Sequence, residues 1–480
     1  MSTVKRSERL LARIRDGQPM TFGERLHLIV LLSIPAILAQ VSLTAMFYID
    51  ASMVGSLGAE AAASVGLVET TTWLFGGLCT AASTAFSVQV AHRLGASDKA
   101  GAQAVVRQGT VAVAIYGVVI ALIGLTVSPY LPGWLGGNED INHNASVYFA
   151  IFSAFLPIYT LSTLAGAVLR CSGNMNTPSA LNILMCVLDV LFNFFLIFPS
   201  HDFTVGGIAI HLPGADMGVA GAAIGTGMAE LITAILMNYV LWRRSPQIDM
   251  RQSGSFAVTR GVVRRAFKIG APIGLQQCIM CGAQIMSTVI VAPLGTIAIA
   301  ANSFAITAES LCYMPGFGVS DAATTIVGQC VGARRRKLTR ELAYLCVGLG
   351  MAVMAVMGAV MWIGADAMIG LMTPSEEIRH LGASILRIEA FAEPMFAAAI
   401  VSYGVFVGAG DTLIPSCMNF GSIWLVRLTL AGLLVGTMGL TGVWIAMAVE
   451  LSFRGLIFLL RLRSSRWLPK PDTTDTKTAK

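Results

Sequence analysis

A single aspartate, Asp50, is the only charge in the stretch from Pro35 to Gly58, PAILAQVSLTAMFYIDASMVGSLG. The stretch is long and apolar enough to cross a bilayer, where a carboxylate costs about 2.5–3.5 kcal/mol on insertion scales. Such a group needs a partner, a proton, a bound cation or a water-filled cavity, which is the chemistry of an ion-coupling site. The plainer reading is a carboxylate that ties helices together by hydrogen bonds. Other acids also fall in apolar runs: Glu69 near the outer end of the second run, Glu230 in the sixth and Glu450 in the twelfth. Arg427 and Arg454 are available to pair with Glu450, so fastening helices is the expected role of Glu230 and Glu450. Glu69 lies close enough to the outer mouth to be a candidate substrate contact, and Arg170, which ends the fourth run, reads as an anchor. Phe47, Tyr48, Met46 and Met53 flank Asp50, and Tyr159, Phe192, Met280 and Phe396 lie on other core runs. Soft and aromatic side chains suit a path for varied ligands, although packing is their commoner use.

Enzymatic chemistry finds no footing. The six histidines (His27, His92, His143, His201, His211, His380) all lie at or beyond the ends of apolar runs, and no nucleotide-binding glycine loop is present. No catalytic residue, metal site or cofactor is therefore expected. Nine cysteines lie in or beside apolar runs and read as free thiols; the Cys278-Ile-Met-Cys281 spacing has no second pair to make it a metal or redox motif.

The elements that must position Asp50 follow from composition. Of 480 residues, 55% are hydrophobic and 12% charged, with mean hydropathy +0.73, against roughly 25% charged in soluble domains. The chain is an all-α polytopic membrane protein. Its net charge of +6 is spread over short connecting segments, so membrane topology accounts for it without a nucleic-acid partner. A spanning helix needs about 20 apolar residues. Twelve runs qualify, near 28–56, 62–91, 105–127, 146–170, 178–199, 216–241, 266–292, 296–329, 341–363, 381–407, 413–436 and 440–461. Pro35 and Pro315 predict a kink or tilt in the first and eighth.

Lysines and arginines collect in alternate connections, including Arg93 to Arg107, Arg243 to Lys268, Arg334 to Arg340 and the tail from Arg461, which predicts both termini on the cytoplasmic side. The N-terminal segment 1–27 contains a basic amphipathic stretch, SERLLARIRD, expected to lie on the anionic inner leaflet. It lacks a short apolar core with a small-residue cleavage site, so no removed signal peptide is expected. Residues 242–265 read as a cytoplasmic linker and 464–480 as a disordered cytoplasmic tail.

The chain repeats itself. At an offset of 237, Pro35 falls on Pro272, Gln40 on Gln277, Leu57-Gly58 on Leu294-Gly295, Gly95-Ala96 on Gly332-Ala333, Pro157 on Pro394, Gly173 on Gly410 and Pro178 on Pro415. About 16 extra residues, near 200–215, then interrupt the match, which resumes with Met217-Gly218 facing Met438-Gly439 and Gly221 facing Gly442. Two tandem six-helix units result, 28–241 and 266–463, in the same orientation because six is even.

These residues resemble the multidrug and toxic compound extrusion (MATE) family from about residue 25 to 465. The resemblance rests on Pro35 with Asp50-Ala-Ser-Met-Val-Gly-Ser-Leu-Gly58, Val90-Ala-His-Arg-Leu-Gly-Ala96, Leu169-Arg-Cys-Ser-Gly-Asn-Met-Asn-Thr-Pro178, Ala266-Phe-Lys-Ile-Gly-Ala-Pro272, Val327-Gly-Gln-Cys-Val-Gly-Ala333, Gly408-Ala-Gly-Asp-Thr-Leu-Ile-Pro415 and Gly442-Val-Trp444. It implies a V-shaped pair of six-helix lobes in the bacterial inner (plasma) membrane. They would act as a monomer and export amphiphilic, mostly cationic drugs against Na⁺ or H⁺.

The resemblance also places a cation site on an acid of the first helix and an Asn-x-x-x-Asp pattern in the fifth. Here the first position is Asp50, and the fifth helix reads Asp189-Val-Leu-Phe-Asn193, with acid and amide exchanged but still on one helical face. Both helices run outward, and Asp50 and Asp189 fall at similar depths by rise per residue. Another branch of the family uses a helix 7 Glu and a helix 10 acid. The helix 7 position here is Met280, while Glu389 and Glu393 in helix 10 and Glu309 and Asp321 in helix 8 are candidates for coupling or substrate binding. The alternative function is a flippase of a lipid-linked or other amphiphilic substrate, which would want basic residues along the cavity, whereas the intramembrane set is mostly acidic.

Overall fold

Apolar runs at bilayer depth fold as helices because every backbone polar group there must be satisfied within the chain. The computed structural model describes residues 3–205, 208–248, 250–251, 254–464 and 466–469. Among the described residues ten helices are long and apolar enough to cross a membrane. The first nine are spans 1 to 9: Phe22–Gly55, Ala59–Gly95, Lys99–Val127, Glu139–Cys171, Asn176–Ile197, Gly218–Arg244, Arg260–Leu294, Thr296–Gly332 and Arg336–Gly370. Span 10 is a broken one, Glu376–Ala390 followed by Glu393–Ala409 with a 58° bend between them. The remaining run, Leu413–Ser464, is 52 residues long, and its backbone leaves the helix at Gly439 (φ 58, ψ −139), so it divides into spans 11 and 12. The expected twelve-helix all-α fold is thus present, and span 1 continues as a helix through Pro35.

The sequence repeat is also a repeat of backbone. Left-handed conformations, which favour glycine, recur at Gly58 and Gly295 (φ 125 and 94), Gly173 and Gly410 (96 and 82), and Gly218 and Gly439 (53 and 58). Even the non-glycine pair Ser97 and Arg334 shares φ values of 58 and 57. Side-chain bonds recur too: Ser83 Oγ of span 2 donates to the Thr160 carbonyl of span 4 at 3.2 Å, and its counterpart Ser320 of span 8 donates to the Ile400 carbonyl of span 10 at 3.0 Å. The extra residues of the first half form an antiparallel hairpin, β1 (Pro199–Val205) and β2 (Ile208–Ala215), with Phe203 opposite Ile210 and Thr204 opposite Ala209. The alternating apolar residues in FTV and IAIHL fit that pairing.

Packing divides the chain into two units whose bounds differ from the repeat. The first unit comprises Ile34–Val90 and Lys99–Val289, and the second comprises Met1–Ser33, Ala91–Asp98 and Ile290–Lys480. Span 7 therefore packs with the spans of the first half. Glycines make this possible: a Cβ on Gly77 would come within 2.3 Å of the Gln277 side chain, one on Gly270 within 3.1 Å of Ala85, and one on Gly274 within 3.3 Å of Leu78. The linker is also held to this unit, because Gln108 Oε1 of span 3 accepts from the Thr259 N–H at 3.0 Å and from its hydroxyl at 2.9 Å.

In the second unit the basic end of span 2 crosses that of span 8 at backbone contact. A Cβ on Gly95 would stand 2.1 Å from the Gln329 carbonyl oxygen, and one on Gly332 would stand 2.1 Å from that of His92. The four positions are partners under the repeat, so the crossing is self-complementary.

Two expectations at the termini change. The N-terminal helix Thr3–Arg15 buries Leu10, Leu11 and Ile14 in protein rather than offering them to a leaflet. Arg335 holds it by donating to the carbonyls of Arg13 (3.2 Å) and Gln18 (2.7 Å). An amphipathic stripe records that a helix needs an apolar neighbour without saying which. At the other end, Trp467 is buried against Phe406, with ring centroids 5.8 Å apart. The rest of the predicted disordered tail, at 465 and 470–480, lies outside the described residues.

Candidate ion-coupling site

Asp189 and Asn193 are four residues apart on span 5, so both project from one face toward span 1. The structure brings them to Asp50. The Asn193 amide nitrogen donates to Asp50 Oδ1 at 2.9 Å and to Asp189 Oδ2 at 3.2 Å, bridging the two carboxylates. Asp189 and Asn193 are fully buried, while Asp50 is half-buried. Asp189 Oδ1 and Asn193 Oδ1 are buried without a hydrogen-bond partner among the described residues. Two carboxylates in a poorly polar site cannot both stay ionised without a proton or a cation between them. The cluster is thus rich in acceptors and short of positive charge.

Span 6 closes the site through a glycine. A Cβ on Gly225 would lie 2.1 Å from Asn193 Oδ1, and one on Gly221, a turn away, would lie 2.5 Å from the Leu196 carbonyl oxygen. Sequence reading missed Gly225, although Gly221-Ala-Ala-Ile-Gly225 is a small-x-x-x-small pattern of the kind that lets membrane helices approach closely. It also missed Tyr148 of span 4, which lies within electrostatic reach of Asp50, Glu69 and Asp189.

The second unit contains a separate acid cluster. Glu450 is fully buried and held by Arg427 Nε at 3.0 Å, by Arg454 Nε at 3.0 Å and by the Ser422 hydroxyl, the structural ion pair expected for it. A stretch of π-helix, Gly421–Arg427, carries Ser422 and Arg427 to this position. Glu389 and Glu393 flank the break in span 10 and are fully buried, and none of their four carboxylate oxygens has a hydrogen-bond partner among the described residues. Glu309, 6% exposed, lies within electrostatic reach of both. Asp321 is on the same span as Glu309 but twelve residues further on, about 18 Å at 1.5 Å per residue. It is half-buried and does not join the cluster. Among the remaining candidates, Phe47 is half-exposed and pairs with Trp73 at 5.5 Å, Tyr48 is half-buried, Glu69 is exposed and Met280 is 37% exposed. Pro35 adjoins the point, between Ser33 and Ile34, where span 1 passes from one packing unit to the other.

The MatE family pattern matches residues 35–195 and 272–433, one block in each repeat and two thirds of the chain together. The chain belongs to the MatE family. Its members are transporters rather than enzymes. This MatE chain is similar to a probable multidrug resistance protein NorM of Thermotoga maritima, at 24% identity covering 87% of this chain and 88% of that one. A probable NorM of Idiomarina loihiensis is 27% identical, covering 89% and 92%. Among solved structures, the outward-facing conformation of a multidrug resistance MATE family transporter of the MOP superfamily matches with a TM-score of 0.83 at 22% identity, over 91% of this chain and 96% of that one. At that identity the likeness establishes the shared fold.

Proposed function

We propose that this MatE chain is a secondary active exporter that antiports amphiphilic, mostly cationic compounds against Na⁺ or H⁺, as a monomer in a bacterial inner membrane with both termini cytoplasmic. The names of the NorM relatives support the substrate class. The coupling reading rests on one observation: a pair of carboxylates from spans 1 and 5 bridged by a single amide in the apolar interior. Bare, the pair repels itself; with one monovalent charge added, it is close to balanced by the remaining hydrogen bonds. A proton would sit on one carboxylate and leave the amide as drawn. Na⁺ would call for oxygen ligands, and rotation of the Asn193 amide would present Oδ1 beside the two carboxylates.

Because Asp50 is half-buried and Asp189 fully so, Asp50 is the carboxylate that meets solvent and loads first. Loading changes the charge the protein must carry through the bilayer, and that change biases the rocking of two lobes, taken from the sequence repeat as 28–241 and 266–463 but with most of span 7 moving with the first by its packing, and with Pro35 as the bending point of span 1. Export of cations is favoured over flipping of a lipid-linked amphiphile, because Arg427 and Arg454 are both taken by Glu450 and are not free for its phosphate groups. The test is ethidium efflux from proteoliposomes under imposed Na⁺ and pH gradients applied separately. One gradient should drive export in the wild type and neither in Asp50→Asn; full retention of driven efflux by that variant would overturn the site.

A further inference from the structure

Span 2 has a face that the coupling site does not use. Glu69, Trp73 and Gly77 follow one another at four-residue spacing, so they run along neighbouring positions of one side of the helix. Gly77 is covered by Gln277 of span 7, which approaches so closely that a Cβ would have no room. Val68 and Phe75 point elsewhere, into the core around Phe149 of span 4. The Glu69 side of span 2 is therefore continuous with a surface that, at Gly77, meets an amide side chain of span 7. One turn toward the Ala59 end, the cover stops. Trp73 is left 47% exposed, and Phe47 of span 1, 50% exposed, lies against it with ring centroids 5.5 Å apart and planes 37° from parallel. Two aromatic rings stand open at this level, and the exposed carboxylate of Glu69 comes next on the same helix. Among the described residues no basic side chain pairs with Glu69.

A carboxylate at bilayer depth is tolerated in a wet cavity and not against hydrocarbon. Aromatic faces attract cations by about 0.5–2 kcal/mol, more as water is excluded, and they stack on flat apolar bodies. We propose that Phe47, Trp73 and Glu69 form a subsite for planar organic cations, with the rings taking the aromatic body and the carboxylate taking the charge. The proposal rests on the export reading above and adds to it the position and chemistry of substrate capture. Phe47 lies three residues before Asp50 on span 1, and Tyr148 is within electrostatic reach of both Asp50 and Glu69. Tyr148 thus lies between the electrostatic surroundings of the subsite and those of the coupling pair.

Equilibrium binding to purified protein in nanodiscs tests this without requiring transport. Two probes are used, ethidium as a planar cation and Nile red as an uncharged planar dye, read by their fluorescence. Glu69→Gln should weaken ethidium about tenfold and leave Nile red within twofold, Trp73→Ala should weaken both, and Glu69→Asp should restore most of the ethidium affinity. Because Glu69 is exposed, loss of folding does not stand in for loss of binding, and the Nile red control reports it independently. Unchanged ethidium affinity in Glu69→Gln, equal loss of both dyes in that variant, or no ethidium binding by the wild type would each overturn the subsite. Ethidium binding without gradient-driven efflux would overturn the export reading and leave the subsite standing.

Discussion

Asp50 and Asp189 meet in the first unit with one amide between them and no basic side chain bonded to either among the described residues. In the second unit four glutamates, Glu309, Glu389, Glu393 and Glu450, share the interior with two arginines, and both arginines bond to Glu450. If every carboxylate ionised, each cluster would fall two positive charges short. The difference is access. Asp50 of the first cluster is half-buried, whereas Glu389 and Glu393 are fully buried and their carboxylates have no hydrogen-bond partner among the described residues. A driving ion must enter and leave, so the coupling proposed for the first cluster calls on its partial exposure, and a fully buried deficit would have to be relieved by protons held in place. The number of acids in a half is therefore a poor guide to which half couples.

The strongest way to break this contrast is Asp50→Asn. Asn keeps the size and an acceptor for Asn193 but removes the exchangeable charge. Gradient-driven efflux should fall by about a hundredfold, equivalent to roughly 2.7 kcal/mol, with thermal unfolding in detergent little changed. Next in size is Glu450→Gln, which strands two guanidinium groups in the interior. Removing one member of a buried ionic group costs about 3–5 kcal/mol, so a fall in melting temperature of several degrees is expected, with partial recovery on adding Arg454→Met. A transport defect without loss of stability would show that Glu450 does more than fasten spans 11 and 12.

Gly225→Ala probes the first cluster from behind. Its Cβ would stand 2.1 Å from Asn193 Oδ1, so span 6 must retreat or the amide must turn. Overpacking of this kind costs about 1–3 kcal/mol. The informative readout is the concentration of Na⁺ or H⁺ that half-saturates efflux, which should shift severalfold, whereas a change in stability alone would confine Gly225 to packing.

Much of this arrangement was legible in the chain, for definite reasons. Glycine and proline act locally, so repeat-related pairs such as Gly58 and Gly295 marked the duplication in sequence, and the backbone is left-handed at both. The same glycines could not report their neighbours: Gly95 and Gly332 match in sequence, but that their backbones cross each other is a tertiary fact. Asp50 stood out because one charge in an apolar run is conspicuous, whereas Asp189 and Asn193 were reached through resemblance, since a polar pair four residues apart fits many helices. The N-terminal stripe of Leu10, Leu11 and Ile14 announced an apolar face but not whether protein or lipid covers it. The break in span 10 had a hint in Pro394, yet its lying between Glu389 and Glu393 mattered only once both proved sealed.

The smallest expected effect decides most about the second half. Glu393→Gln replaces a buried carboxyl that has no hydrogen-bond partner among the described residues with a neutral group of nearly the same shape. If Glu393 holds its proton throughout the cycle, the substitution removes no charge, and stability should change by less than about 1 kcal/mol because volume is conserved. Driven efflux should persist within about twofold. If Glu393 instead trades protons with water as span 10 flexes at its break, Gln cannot replace it, and coupling should fail while ethidium binding survives. Loss of coupling in Glu393→Gln together with its survival in Asp50→Asn would move the driving site to the second unit. Loss in both would mean that coupling requires a carboxylate in each unit, and the number of ions moved per compound would then be read from the gradient dependence of efflux.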